Sequence, residues 1–222
     1  MPDIKNLKID TLIFDMDGTL LDTLDDLKDS VNYALNYLGY REKTKEEIRL
    51  AVGSGITKLF ERVIPGGLRN PDITECIKKF KEYYTSLKTS KTHPYDGVIE
   101  LLTELKKRGY KTGIVSNKFD IACKMHSKAF FGDLIDYAQG EDEANGIIRK
   151  PNPSGVLKVL DILGSKSENS VFLGDSDIDI QTAKNANMPC ISVLWGFRSE
   201  EFLIQSGGNI FVKNPSEILT MV

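Results

Sequence analysis

The chain has 222 residues, of which 41% are hydrophobic and 27% charged, a balance typical of a globular protein with a substantial core. A formal net charge of −3 argues against nucleic acid as the main partner. The N-terminal residues lack the apolar stretch of a signal peptide, and no segment reaches the ~18 apolar residues of a membrane span. We therefore expect a cytoplasmic protein with no membrane partner.

The first part of the chain predicts one strand followed only by helices. Ile9 to Phe14 is an apolar run of the kind that forms a buried strand. Apolar residues spaced three and four apart, together with a capping-box pattern, indicate the helices that follow. Three of these helices are predicted at Thr23–Leu38, Thr57–Val63 and Asp72–Leu87. A fourth begins at the capping-box sequence Thr44-Lys45-Glu46-Glu47. Because no convincing strand appears between Asp22 and Lys91, this stretch is expected to be an all-helical insert.

From Pro94 onward, strand-like and helix-like segments alternate, which indicates an α/β fold. The predicted strands are Tyr110–Val115, Leu134–Ala138, Val171–Leu173, Cys190–Val193 and Asn209–Val212. The predicted helices are Val98–Leu105, Phe119–Phe130, Ser154–Leu163, Ile178–Asn187 and Pro215–Leu219. Open parallel sheets bind ligands at the carboxyl ends of their strands, so polar residues at those ends are candidates for a functional site.

The segment Asp15-Met16-Asp17-Gly18-Thr19 follows the first predicted strand and carries groups suited to phosphoryl transfer. The carboxylate of Asp15 has no packing role there, and it can attack phosphorus to form an aspartyl phosphate. Asp17 can protonate the leaving oxygen and then deprotonate the attacking water. Gly18 allows a tight turn with close backbone approach, and Thr19 adds a hydroxyl. The alternative is that both aspartates are merely turn residues after a strand.

A second acidic segment, Gly174-Asp175-Ser176, follows the predicted strand Val171–Leu173. Two carboxylates facing a phosphate dianion would repel it, so a divalent cation is needed, and Mg²⁺ typically binds through one or two carboxylates plus substrate phosphate. Asp175 can supply the distal carboxylate. Asp179 lies one helical turn later and can join or brace the same metal site. Asp177 is interpreted as a carboxylate that favours the helix N-terminus.

Two further segments offer donors for the oxygens of a phosphoryl group, whose charge is stabilised mainly by positioned donors. Ser116 can donate to one oxygen, with the Asn117 amide or a helix N-terminus nearby. Lys150 offers a mobile charge that can bind phosphate and keep the nucleophile ionised. A lone lysine before a proline is usually solvated, and Lys150 becomes a candidate because it lies between the Ser116 and Asp175 segments.

These motifs resemble the haloacid dehalogenase-like hydrolase superfamily, in the subgroup typified by phosphoglycolate phosphatases. They are D-x-D-G-T-L-x-D-T, S-N-K, K-P-x-P and G-D-S-x-x-D, and together they span nearly the whole chain. The resemblance implies a Rossmann-like three-layer core with a mainly parallel sheet, formed by residues 1–21 and 92–222. It also implies an all-helical cap domain formed by residues 22–91.

The resemblance further implies roles for individual residues. Asp15 would be the nucleophile and Asp17 the acid and base, while Ser116 and Lys150 would bind phosphate. Mg²⁺ would be held by Asp15, Asp175 and the main-chain carbonyl of Asp17, with Asp179 in support.

Two short segments outside the four motifs also resemble the phosphoglycolate phosphatase subgroup, although they are less specific than the motifs. Val52-Gly53-Ser54-Gly55 resembles the cap loop that faces the active site in these phosphatases, so Gly53, Ser54 and Gly55 are predicted to lie near the substrate. Trp195-Gly196-Phe197-Arg198 also resembles this subgroup, and Trp195 and Phe197 are interpreted as packing residues.

The leading prediction is a magnesium-dependent phosphatase acting on a small phosphorylated metabolite, similar to phosphoglycolate, through an aspartyl phosphate on Asp15. A sugar phosphomutase similar to β-phosphoglucomutase, a pyrophosphatase and a nucleotidase stay open, because the same motifs serve them. Asp17 counts against a haloalkanoic acid dehalogenase, which does not need it. A non-catalytic binding module would predict the decay of a motif, yet all four are intact. The sequence does not distinguish a monomer from a homodimer.

Overall fold

A computed structural model describes residues 7–87 and 91–222. The chain divides into two compact units, one made of Met1–Leu21 with Pro94–Val222 and the other of Asp22–His93. Among the residues described, none of the helices combines the length and the hydropathy that crossing a bilayer requires.

The first unit is built on a six-stranded sheet. The strands in chain order are β1 (Thr11–Phe14), β2 (Leu21–Asp22), β3 (His93–Pro94), β4 (Lys111–Phe119), β5 (Tyr137–Glu141), β6 (Ser170–Gly174), β7 (Cys190–Val193) and β8 (Phe211–Val212). The large sheet has the order β5-β4-β1-β6-β7-β8, and its neighbouring strands are parallel. β2 and β3 form a separate two-stranded sheet.

Helices connect these strands and also make up most of the second unit. In chain order they are α1 (Leu24–Tyr37), α2 (Lys45–Ala51), α3 (Ile56–Val63), α4 (Ile73–Ser86), α5 (Val98–Lys107), α6 (Asp120–Phe131), α7 (Ser154–Leu163), α8 (Asp177–Asn185) and α9 (Glu200–Gln205). Short 3₁₀ helices cover Gly67–Arg69, Gly132–Leu134, Glu143–Asn145, Ser167–Asn169 and Pro215–Thr220.

The central strand β1 is apolar on both faces because helices cover both sides of the sheet. Leu12 and Phe14 lie in one hydrophobic core with Leu102 of α5. Ile13, whose side chain points to the opposite face, lies in a second core with Val156 of α7. The predicted three-layer α/β fold with a parallel sheet is therefore confirmed.

The order of the strands has a topological switch point at β1, between β4 and β6. Phe14 of β1 is level with Ile114 of β4 on one side and with Leu173 of β6 on the other. The chain runs outward from β4 to β5 and then returns across β1 to β6. Ligands of open α/β sheets bind where the strand order reverses in this way. Asp15 and Asp175 follow these paired positions directly.

The second unit is helical, and its α1 packs against α4. The predicted capping box is present at the start of α2, where the Thr44 hydroxyl accepts from the Glu47 amide and the Glu47 carboxylate accepts from the Thr44 amide. The rings of Tyr33 and Tyr83 stack with their centroids 4.4 Å apart.

Several details of the first unit differ from the sequence predictions, and β1 and β8 each begin two residues later than predicted, at Thr11 and Phe211. β4 continues to Phe119, four residues past the predicted end, because the polar residues 116–118 remain buried in the strand. β5 begins at Tyr137 rather than Leu134, because Gly132–Leu134 forms a 3₁₀ helix first. The helix α9 is missing from the predicted elements, although the Ser199 hydroxyl caps it.

Candidate active site

Asp15 is buried at the end of β1, and its carboxylate lies beside a lysine. The Asp15 amide donates to the carbonyl of Leu173, 2.8 Å away. Oδ1 accepts from the Met16 amide at 2.6 Å, and Oδ2 lies 2.9 Å from Nζ of Lys150. Burial raises the pKa of Asp15 to about 6; Lys150 opposes this shift and the charge of Asp179 adds to it. The carboxylate is therefore costly to ionise, and the positive charge of Lys150 beside it offsets part of that cost.

Lys150 joins two carboxylates and is itself fixed by its backbone. Its Nζ lies 2.6 Å from Oδ1 of Asp179 and 2.9 Å from Oδ2 of Asp15, and only 2% of its side chain is exposed. The Asn117 side chain brackets the Lys150 backbone, with Oδ1 accepting from the amide at 2.7 Å and Nδ2 donating to the carbonyl at 3.2 Å. Burial disfavours the charged form, but the charges of Asp15 and Asp179 outweigh it and raise the pKa of Lys150.

Asp175 follows β6 and is buried against the turn that contains Gly18. Its Oδ2 accepts from the Phe197 amide at 2.7 Å, and its Oδ1 lies 3.5 Å from the Thr19 hydroxyl. Burial, together with the charges of Asp179 and Asp15, raises the pKa of Asp175 well above its usual range. Gly18 has φ of +86°, and a Cβ there would lie 2.7 Å from Cγ of Asp175, so both conformation and space require glycine.

Asp179 is engaged through both carboxylate oxygens. Oδ1 pairs with Lys150, while Oδ2 accepts from the amide and the hydroxyl of Ser176 at 3.1 and 2.6 Å. These contacts tie the first turn of α8 to Lys150. The geometry therefore suits a residue that braces the lysine.

The carboxylates of Asp15, Asp175 and Asp179 form one buried cluster in which a ligand oxygen from each lies within 4.8 Å of the others. When all three are ionised, Lys150 balances one charge and leaves two negative charges in a buried place. A divalent cation would supply the missing charge, and carboxylate oxygens are the ligands that Mg²⁺ prefers. The residues present thus fit a bound magnesium ion, since the cluster offers carboxylate oxygens from Asp15, Asp175 and Asp179 within reach of one another.

Asp17 is held by a lysine that is not among the predicted site residues. Nζ of Lys118 lies 3.0 and 3.2 Å from the two carboxylate oxygens of Asp17. The side chain of Lys118 is 3% exposed and that of Asp17 is 20% exposed. Ser116, also buried, accepts a 3.3 Å hydrogen bond on Oγ from the Lys118 amide. The two-residue spacing from Ser116 along an extended strand is the sequence signal that could have found Lys118.

Trp195 and Phe197 are interpreted from the sequence as packing residues, but both also make polar contacts. The indole Nε1 of Trp195 donates to the Thr19 carbonyl at 2.9 Å. The backbone amide of Phe197 holds Oδ2 of Asp175, as described above. The loop after β7 therefore contacts both the Asp15–Thr19 turn and the end of β6.

The predicted cap residues Gly53, Ser54 and Gly55 lie in the helical unit, between α2 and α3. Gly55 precedes α3 with φ of +83°, and the Ser54 hydroxyl accepts from Nη2 of Arg62 at 3.0 Å. Their proximity to substrate stays a prediction.

Known proteins resemble this chain along most of its length. A sequence profile described as haloacid dehalogenase-like hydrolase matches residues 12–193, which include all four motif segments. The chain is 31% identical to phosphoglycolate phosphatase from Aquifex aeolicus, over 84% of its own length and 85% of that protein. It is 29% identical to pyrophosphatase PpaX from Listeria innocua, with 97% of both chains covered. A crystal structure from Lactobacillus delbrueckii subsp. bulgaricus, 34% identical, matches with a TM-score of 0.90 over 96% of this chain and 97% of that one.

Proposed function

Because the chain belongs to the haloacid dehalogenase-like hydrolase family, we propose that it is a magnesium-dependent phosphatase that hydrolyses a small phosphomonoester through a covalent intermediate on Asp15. One observation carries this proposal. The Asp15 carboxylate is buried 2.9 Å from Nζ of Lys150 and shares a cluster with Asp175 and Asp179. This arrangement supports the proposal, because the proposed nucleophile, the proposed phosphate-binding lysine and carboxylates that could bind a cation lie close together.

In the first step, a carboxylate oxygen of Asp15 forms a bond to phosphorus as the bond from phosphorus to the ester oxygen breaks. Asp17 donates its proton to that oxygen, so the leaving group departs as an alcohol. The carboxylate left on Asp17 is stabilised by Lys118, whose Nζ is 3.0 Å away. Lys150 and the hydroxyl of Ser116 offset the charge on the phosphoryl oxygens.

In the second step, Asp17 takes a proton from a water molecule as that water attacks phosphorus. The bond between phosphorus and the Asp15 oxygen breaks, which releases inorganic phosphate and restores both aspartates. The Asn117 side chain keeps the Lys150 backbone in place during both steps, through its 2.7 and 3.2 Å hydrogen bonds.

The cation would be held by the carboxylates of Asp15 and Asp175 and by the Asp17 carbonyl. When bound, Mg²⁺ would neutralise the repulsion between the substrate phosphate and the carboxylates. Asp179 keeps Lys150 in contact with Asp15, since its own oxygens are occupied by Lys150 and Ser176.

The substrate that we propose is 2-phosphoglycolate or a similar small phosphomonoester, and the similarity to the phosphoglycolate phosphatase of Aquifex aeolicus supports it. Pyrophosphate is the second candidate. It is supported by the similarity to PpaX, which covers 97% of both chains.

A substrate panel tests this function. Release of inorganic phosphate is measured from 2-phosphoglycolate, pyrophosphate, a nucleoside monophosphate and a hexose phosphate, with Mg²⁺ and with EDTA. We expect kcat/KM to be highest for 2-phosphoglycolate, no release in EDTA, and no release by folded Asp15→Asn protein. A higher kcat/KM for pyrophosphate would change the substrate, whereas conversion of the hexose phosphate into an isomer would indicate a mutase. Failure of the folded wild-type protein to release phosphate from any of the four would contradict the proposal.

A further inference from the structure

The loop after β7, Trp195-Gly196-Phe197, contacts two segments that the proposed function assigns to cation binding. We propose that this Trp195 loop is a positioning element, which fixes the orientation of Asp175 and its distance from the turn at Gly18 and Thr19. The inference rests on the magnesium-dependent mechanism proposed above. It assigns a role to three residues outside the four motifs.

The amide of Phe197 fixes the orientation of the Asp175 carboxylate. It donates to Oδ2 at 2.7 Å, and Asp175 is 2% exposed. Oδ2 is thus held by the amide and Oδ1 lies 3.5 Å from the Thr19 hydroxyl, while one carboxylate oxygen of Asp175 lies within 4.8 Å of oxygens of Asp15 and Asp179. Hydrogen bonds to ligating carboxylates commonly orient them in this way.

Gly196 brings the backbone of the loop against both segments at once. A Cβ on Gly196 would lie 2.6 Å from Oδ2 of Asp175 and would also overlap Cβ of Asp175 and the carbonyl oxygen of Gly18. Gly196 is not among the glycines with positive φ, so its backbone conformation does not require glycine. A side chain is excluded because the neighbouring atoms of Asp175 and Gly18 lie too close. Any larger residue must therefore push the loop away from Asp175 or from the turn.

Trp195 joins the loop to the turn after β1. Its Nε1 donates to the Thr19 carbonyl at 2.9 Å, while the turn itself is closed by the Gly18 amide on the Leu21 carbonyl at 2.9 Å. Together with the Phe197 amide, this contact links the end of β1 to the end of β6 through a third segment. A cation site whose ligands are already held apart at a fixed distance needs less reorganisation on binding.

The experiment titrates the metal-free protein with Mg²⁺ in an isothermal calorimeter, which measures the Kd for the ion. The variants are Gly196→Ala, Trp195→Phe, and the pair Phe197→Pro and Phe197→Leu. Phe197→Leu is the matched control, because it keeps the amide that Phe197→Pro removes. We expect a Kd at least about 10-fold weaker for Gly196→Ala and Phe197→Pro, as for other partners of metal ligands, and an unchanged Kd for Phe197→Leu. Trp195→Phe, which keeps an aromatic ring, should weaken binding about three-fold or more.

Melting temperatures separate positioning from a general effect on folding. A positioning role predicts that a Mg²⁺ concentration near the wild-type Kd raises the melting temperature of the wild type but much less that of Gly196→Ala. Equal rises in both proteins would overturn the inference, as would an unchanged Kd in folded Gly196→Ala or Phe197→Pro. If neither of these variants folds, an unchanged Kd in Trp195→Phe overturns it. Absence of Mg²⁺ binding by the wild type would instead overturn the proposed function.

Discussion

Without a bound cation, the acidic cluster should make the protein less stable as the pH rises. The perturbation is a pH change from 4 to 7 in EDTA. Burial raises the pKa of Asp15 from 3.8 to about 6, so the folded protein holds a proton that the unfolded chain releases. A raised pKa of this kind contributes stability that is fully present below pH 3.8 and is lost as the pH rises through about 6.

The size of the effect follows from the two pKa values. At about 1.36 kcal/mol for each pKa unit, the difference between 3.8 and about 6 corresponds to about 3 kcal/mol. Roughly 2.5 kcal/mol of this falls between pH 4 and 7. Because the Asp15 charge also raises the pKa of Asp175, removing Asp15 relieves both carboxylates, and the measured effect should be at least this large.

The assay is urea unfolding of the wild type and of Asp15→Asn at pH 4, 5, 6 and 7, in EDTA. Other titrating groups contribute to both proteins, so the difference between the two free energies of unfolding isolates the cluster. This difference, wild type minus variant, should decrease by about 2.5 kcal/mol as the pH rises. Saturating Mg²⁺ should remove the decrease, since the cation binds the ionised carboxylates. A difference that stays constant or increases with pH in EDTA would refute the reasoning.

Substitutions at three residues test other parts of the site. Lys150→Met leaves two buried carboxylates without their cation, so urea unfolding at pH 7 should show a loss of about 3 kcal/mol or more, and an unchanged stability would contradict the buried ion pairs. Lys118→Met removes the partner of Asp17, so kcat should fall about 10-fold or more with KM changed less, and the opposite pattern would assign Lys118 to substrate binding. Ser116→Ala should lower kcat about 100-fold while Ser116→Thr, which keeps the hydroxyl, should retain most of it; equal rates for the two would show that the hydroxyl has no part.

The sequence predicts the fold and the positions of the acidic residues because both follow from regular patterns. Apolar runs identify β1 and β6, and the polar residues directly after these two runs do follow the strand ends. Asp15 and Asp175 are expected at the carboxyl ends of parallel strands, and the structure brings them together. Lys150 has no such pattern, since it lies in a loop, and only its place in the chain order made it a candidate.

Other features of the site are not predicted from the sequence. The contact between the Phe197 amide and Asp175 involves a backbone group that every residue except proline has, so no residue type indicates it. Lys118 follows Ser116 by two residues, but the predicted strand ends at Val115, whereas β4 continues through Lys118 and its charge is buried against Asp17. The double engagement of Asp179 depends on the start of α8 and on Lys150 meeting in three dimensions.

The covalent intermediate of the proposed mechanism is a phosphoryl group bonded to the carboxylate of Asp15. Asp17→Asn should slow the attack of water, while an aryl phosphate, whose phenolate leaves without a proton, can still phosphorylate Asp15. The intermediate should therefore accumulate when this variant is mixed with an aryl phosphate and Mg²⁺ and quenched in acid. Mass spectrometry of the digested protein should then find phosphate on the peptide that contains Asp15, and none on the same peptide from the Asp15→Asn protein. Phosphate on a different residue would contradict the account, as would phosphate release by Asp17→Asn with the Asp15 peptide unmodified at every time of quenching.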